Sequence, residues 1–381
     1  NLLEPALLWN FAGRAGRLAR DVIGNVFLVE YDDWDTRPMD TFVGIEIESA
    51  SSKTLEEHHA RVMEALRGGM PKANPNDPAV RCIRACAGLL VAKAATGEVS
   101  RFLARTMPHQ PELTRKQLET ASVSACEALG LPTAILASNW TVDPFGQRRL
   151  YDKIMEKICE GNLTDVIPMS PLESDSMKRY AGLFSRIQSA VFGQGNKYAA
   201  VAGGLAVQWM SGAPYPVILA REIRRAQDSV TKATQAYEAG ALGKTGKRVR
   251  RPAAVDPSRV IRDTFKLLEK AVRFEFVQLG KLYIDLLTYA LGIQGHEELV
   301  PTIYDFPLAL ELGVATGTAR AFVELGFSRI SATELSRLVP NSRFTVEQAS
   351  AWVRRVDLSE VQASRHVLSE IVRMRSLMLA S

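Results

Sequence analysis

The chain has 381 residues, 46% hydrophobic and 23% charged, an ordinary globular composition with apolar material for two or three cores. No run reaches the roughly 18 uninterrupted apolar residues of a membrane helix, and the apolar opening Leu2–Phe11 is broken by Glu4, Pro5 and Asn10, which excludes a signal peptide or a span there. Cys82, Cys86, Cys126, Cys159 and the five histidines show no zinc-ligand spacing, so the expectations are no metal, reduced thiols and a cytoplasmic, membrane-free protein. The net charge of +5, with a pI near 9.0, permits a polyanionic partner without requiring one. Opening on Asn1, the sequence reads as cut within a domain.

In chain order, a helix-like stretch ends near Arg20 and is followed by two short β-prone runs, Asn25–Tyr31 and Phe42–Ile47. Residues 53–78 read as a linker, closing on a Pro/Gly/Asn-rich break at Gly68–Pro78. Three helices are predicted next, over Ala79–Ala95, Glu98–Arg105 and Thr114–Leu129. Leu131–Trp140 is expected to form a strand and turn that complete a winged-helix-like unit over 79–146, with Pro144-Phe-Gly146 closing it. From Gln147 the pattern turns to amphipathic helices at Gln147–Glu160, Asp175–Phe192, Tyr215–Ala239 and Pro257–Leu291, material for a bundle over 147–299. Between the last two lies a Gly-rich basic loop, 240–255. A helical unit over 300–381 ends the chain. The fold class expected is mainly α, with the end of an α/β domain over 1–52.

The most informative residues are Asn10-Phe-Ala-Gly-Arg-Ala-Gly-Arg17, ahead of Gly24 and the run Asn25–Tyr31. Two arginines three residues apart at a helix start can reach one polyphosphate together, because each guanidinium is permanently charged and forms bidentate bonds to phosphate oxygens. Basic residues also gather at Arg221, Arg224 and Arg225, which share a helix face, and at Lys244, Lys247, Arg248, Arg250 and Arg251; solvated surface is the plain alternative for both. Glu238-Ala-Gly-Ala-Leu-Gly-Lys-Thr245 ends like a phosphate-binding loop, yet it lacks the first glycine and a preceding strand.

The Gly-Arg-Ala-Gly-Arg block resembles motif VI of the superfamily two helicases, the DEAD/DEAH-box relatives, in which Gln-x-x-Gly-Arg-x-Gly-Arg precedes the last strands of the second RecA-like domain. Asn10 stands where that family has Gln or His. The resemblance implies that Arg14 and Arg17 act as arginine fingers, with Gly13 and Gly16 beside them, on ATP and Mg held by a first RecA-like domain whose Walker motifs lie upstream. This chain alone is then expected to be inactive as an ATPase. A winged-helix-like unit, a ratchet-like bundle and a small terminal unit in that order are similar to the Ski-like branch.

In the terminal unit, Leu312-Gly-Val-Ala-Thr-Gly-Thr-Ala-Arg320 resembles a helix-hairpin-helix, with Ala315 in place of the second hairpin glycine; Gly313, Gly317 and Thr318 become candidate nucleic-acid contacts beside Arg221, Arg224 and Arg225. DNA and RNA, single-stranded or with an overhang, are both compatible partners. The alternatives are a nucleic-acid-binding module with no motor and a helical scaffold.

Overall fold

The structure, a computed structural model, describes residues 30–34, 37, 49–68, 77–193, 198–239, 251–339 and 343–380. Contacts divide the chain into Asn1–Ala50 and Ser51–Ser381. In the first unit the described residues form a short 3-10 turn, Tyr31–Asp33, with Tyr31 edge-on to Trp34 at 5.2 Å and Arg37 paired to Asp32 at 3.3 Å. Apart from Glu30 and Tyr31, the two β-prone runs lie outside the described residues, as does the helix-like stretch before them.

The second unit is helical throughout, and among the described residues there is no strand, so the protein is mainly α. Its helices are α1 Ala50–Leu66, α2 Pro78–Ala95, α3 Val99–Thr106, α4 Glu112–Leu129, α5 Thr133–Ser138, α6 Pro144–Cys159, α7 Leu163–Val166, α8 Ser176–Phe192, α9 Ala199–Met210, α10 Tyr215–Glu238, α11 Pro257–Leu267 and α12 Phe276–Ile293. A π-helical segment, Leu268–Glu275, joins α11 to α12 in one continuous rod. Five more helices follow: α13 Phe306–Leu312, α14 Gly317–Glu324, α15 Arg329–Leu338, α16 Val346–Arg355 and α17 Arg365–Ala380.

Helix starts are set by side chains that satisfy the first orphan N–H groups. Asp77, Asp143 and Asp256 each accept from the backbone N–H two residues on, and Pro78, Pro144 and Pro257 fill the first helical position, where a missing N–H costs nothing. Along α2, Val80, Ile83, Ala87, Leu90 and Val91 repeat at three- and four-residue steps and are buried, so the helix presents one apolar stripe to the core. Helix α9 is buried on nearly every side and lies against α8 so closely that a Cβ on Gly203 would sit 2.6 Å from the Tyr180 carbonyl. At the centre Phe184 stacks on Phe276 with ring centroids 3.8 Å apart, and Tyr180 and Phe306 close the cluster.

Several sequence-based expectations change. Residues 53–66, read as linker, belong to α1, whose Leu55, Val62, Ala65 and Leu66 are buried. The strand and turn expected over Leu131–Trp140 is α5, a helix, so no wing strand forms there. Pro144-Phe-Gly146 opens α6 instead of closing a unit. One hydrophobic core runs from Leu55 to Leu310, which removes the boundary between 79–146 and 147–299 and carries the first core past residue 300. A separate second core begins at Ala321 and is built on Phe322, Phe327, Leu335, Val353 and Ile371. The rod Pro257–Ile293 contains an 18-residue window apolar enough to cross a membrane, half of it buried within the fold.

Glu275, in the π segment, is largely buried and accepts a hydrogen bond from the Gln188 amide at 3.2 Å. Burial pushes its carboxyl above the ordinary range, outweighing the Gln188 bond and the Arg81 charge. A raised folded-state value means that the stabilisation belongs to the neutral form: it is complete below the ordinary carboxyl pKa and is lost as pH rises through the raised one. Glu275→Gln, which stays neutral, should therefore gain stability on the wild type as pH rises from about 4 to about 7. Urea midpoints at both pH values check this, and a difference independent of pH would refute it.

Candidate nucleic-acid interface

Helix α10 runs for 24 residues, yet Ile218, in its first turn, is its only buried residue. Beyond that turn it packs chiefly on α11, along half-buried Ile223, Ala226, Val230 and Ala233. The two helices are antiparallel: Tyr215 at the start of α10 meets Phe265 near the end of α11 with centroids 5.3 Å apart, and its hydroxyl lies 3.4 Å from Glu269. Together they form a two-helix arm, linked through residues 239–256.

Arg221, Arg224 and Arg225 are all exposed on this arm, on the side of α10 away from the α11 seam. The Arg221 guanidinium lies 3.5 Å from the Gln208 side-chain oxygen, and Arg225 lies 3.6 Å from Glu222, a loose pair at the surface. Arg224 has no partner among the described residues. The loop residues Lys244, Lys247, Arg248 and Arg250 lie outside the described residues; Arg251 is exposed.

Sequence reading passed over the matching side of α11. Arg259, Arg262, Lys266, Lys270 and Arg273 recur at three- and four-residue steps along α11 and the π segment, and all five are exposed. A charge count by segment would have found them. Residues 215–267 hold twelve Lys and Arg against five Asp and Glu, an excess of seven, whereas the whole chain carries only +5. The arm and its linker thus account for the entire positive balance, and the remainder is slightly acidic. A surface of this kind attracts polyanions at long range and holds them by phosphate contacts.

The hairpin candidates fare differently. Gly313 caps α13 in the left-handed conformation, φ 71°, with its N–H already donated to Ala309 O at 2.9 Å, and a Cβ there would lie 2.9 Å from the Trp209 ring. Its role is to let α13 turn against Trp209, and its N–H is not offered to a phosphate. Thr318 is fully buried, its hydroxyl accepting the Phe344 N–H at 3.0 Å, which removes it as a surface contact. Gly317 alone is exposed, at the start of α14, where Thr316 caps the Ala319 N–H. The structure does not bring these three residues together into a phosphate site.

Gly13, Arg14, Gly16 and Arg17 lie outside the described residues. Among the described residues no cluster of His, Cys, Asp and Glu has the makings of a metal site. Burial raises the Cys86 thiol to about 11, so it is an inert core thiol at neutral pH. The chain matches no family model, no curated protein and no solved structure.

Proposed function

We propose that this chain is the C-terminal part of an ATP-dependent nucleic-acid helicase or translocase, in which the α10–α11 arm is a surface for nucleic acid. The observation that carries the binding half of this reading is the row of exposed cations along both helices of the arm, within a stretch, 215–267, whose sequence carries an excess of seven positive charges. The motor half rests on the resemblance of Asn10–Arg17 to motif VI. Arg14 and Arg17 then serve a bound nucleotide, with Gly13 and Gly16 allowing close approach, while ATP and Mg are held by a RecA-like domain outside these residues. When bound, ATP supplies the free energy for strand movement. The end of a RecA-like domain over 1–52 and a ratchet-like helical bundle complete the proposal.

Reversing the three arginines, as Arg221→Glu, Arg224→Glu and Arg225→Glu together, should weaken oligonucleotide binding at least about tenfold at low salt. Thermal unfolding should stay close to that of the wild type, because all three side chains are exposed. Unchanged affinity in the reversed chain sinks the assignment of the arm. For the motor, the test is the coding sequence upstream of Asn1: an in-frame Gly-x-x-x-x-Gly-Lys-Thr/Ser and Asp-Glu block supports a helicase, and a nearby start with neither leaves a binding module without a motor.

A further inference from the structure

We propose that the outer face of α11 and the π segment is a track for single-stranded nucleic acid, with Arg262, Lys266 and Lys270 holding successive phosphates and Phe274 stacking a base at the end of the row. This deepens the binding half of the reading above and rests on it.

Arg262, Lys266, Lys270 and Phe274 follow one another at four-residue steps, so they line one row of the rod, with the cations about 6 Å apart along a helical axis. The neighbouring cations are engaged: Arg259 faces Asp263 at 3.7 Å, and Arg273 grips Glu269 through two bonds of 2.7 and 2.8 Å while lying 5.0 Å from the Trp209 ring centroid. Arg262, Lys266 and Lys270, by contrast, are exposed and have no ion-pair or hydrogen-bond partner among the described residues. The acids that would cancel them are already spent on their flanks.

Phe274 is 64% exposed, although it lies on the rod that forms the centre of the bundle and stands two residues before the buried Phe276. Its register accounts for this: Leu268, Val272 and Phe276 go inward at four-residue steps, and Phe274, two residues from both Val272 and Phe276, lies about half a turn away on the outer side. A large apolar ring held outward on a rigid helix beside three free cations combines the two elements that bind unpaired strands, a cationic path for the backbone and a face for the base. A duplex keeps its bases stacked inside and has no use for the ring.

The test is fluorescence anisotropy with a labelled oligothymidine of about 20 nucleotides and a blunt duplex of the same length, at low salt. Phe274→Ala should weaken the single strand about tenfold and leave the duplex within about twofold, with Phe274→Trp restoring single-strand affinity. Arg262→Gln, Lys266→Gln and Lys270→Gln together should lower the slope of log K against log salt for the single strand by about 2. Equal losses for both ligands, or no effect of Phe274→Ala where the glutamine variant does weaken binding, overturns the single-strand track and leaves the arm a general polyanion surface. Anionic phospholipid vesicles that bind where the oligothymidine does not would overturn both readings.

Discussion

Trp209→Ala should destabilise the second unit by about 3–5 kcal/mol, the cost of emptying a large buried aromatic site that collapses only in part. Trp209 is almost fully buried, and its indole N–H donates to Leu310 O at 2.7 Å, tying α9 to α13. Over its ring lies the Arg329 guanidinium, 3.9 Å from the centroid, which also donates to Ala213 O at 2.7 Å. Gly313 touches the same ring, and Tyr215, the root of the arm, packs beside it at 5.6 Å. Removing the indole therefore opens a cavity, strands a buried carbonyl and leaves a half-buried cation without its aromatic face; burial already holds the Arg329 value below that of a free arginine. Trp209→Phe keeps a ring but not the N–H donor, and should lose less than half as much. Urea denaturation measures both, and a loss under about 1 kcal/mol for Trp209→Ala contradicts this joint between the two cores.

Gly88→Ala is the second large effect, and its sign opposes helix propensity. In the middle of α2, alanine should gain about 1 kcal/mol over glycine. A Cβ at Gly88, however, would stand 2.1 Å from the carbonyl oxygen of Trp140 and 3.2 Å from that of Val142, both backbone atoms that cannot rotate away. Either α2 separates from the turn after α5 or the turn shifts, and overpacking of this kind costs about 1–3 kcal/mol or more. The net expectation is a loss of about 2 kcal/mol. Gly204→Ala is the control: its Cβ would meet only the Met177 methyl, at 3.7 Å, and the change should stabilise by up to about 1 kcal/mol. Should both alanines stabilise, the close approach of α2 to this turn is wrong.

How far the sequence discloses this fold depends on whether a helix has a polar face. Helices α2, α4, α6, α8 and α10 have one, and their predicted limits agree with the structure within about three residues, the scatter usual for helix ends. Helix α9 escaped because Ala199–Met210 is apolar almost all round; buried on nearly every side, it has little alternation for periodicity to detect. Around Leu131–Trp140 a short apolar run imitates a strand, and six residues are too few for helical spacing to declare itself. Asp143-Pro144 carried the opposite signal to the one read from it, since a capping Asp before Pro at the first position marks a helix start. Domain limits were the least legible: whether two apolar stripes share one core is settled by tertiary contact, and here they do from Leu55 to Leu310.

The candidate site was half legible. Arg221, Arg224 and Arg225 stand out as a dense basic cluster, and they are exposed on the arm. The row on α11 is diluted by Asp263 and Glu269, and only their pairing to Arg259 and Arg273 shows which cations remain free. Phe274 is hidden by the apolar residues around it, although its half-turn offset from the buried Val272 and Phe276 places it on the outer face. Gly313 and Thr318 show the reverse error, since a hairpin-like glycine pattern also arises where a helix must turn tightly against a tryptophan.

The central claim is that the arm holds nucleic acid, and the most direct measurement is the affinity of the unaltered chain for a labelled single-stranded oligonucleotide across about 50 to 200 mM salt. A binding arm gives saturable association at the low end, with log K falling linearly against log salt at a slope of several units. No association at about 50 mM, or an affinity that salt does not change, contradicts it and leaves a helical scaffold.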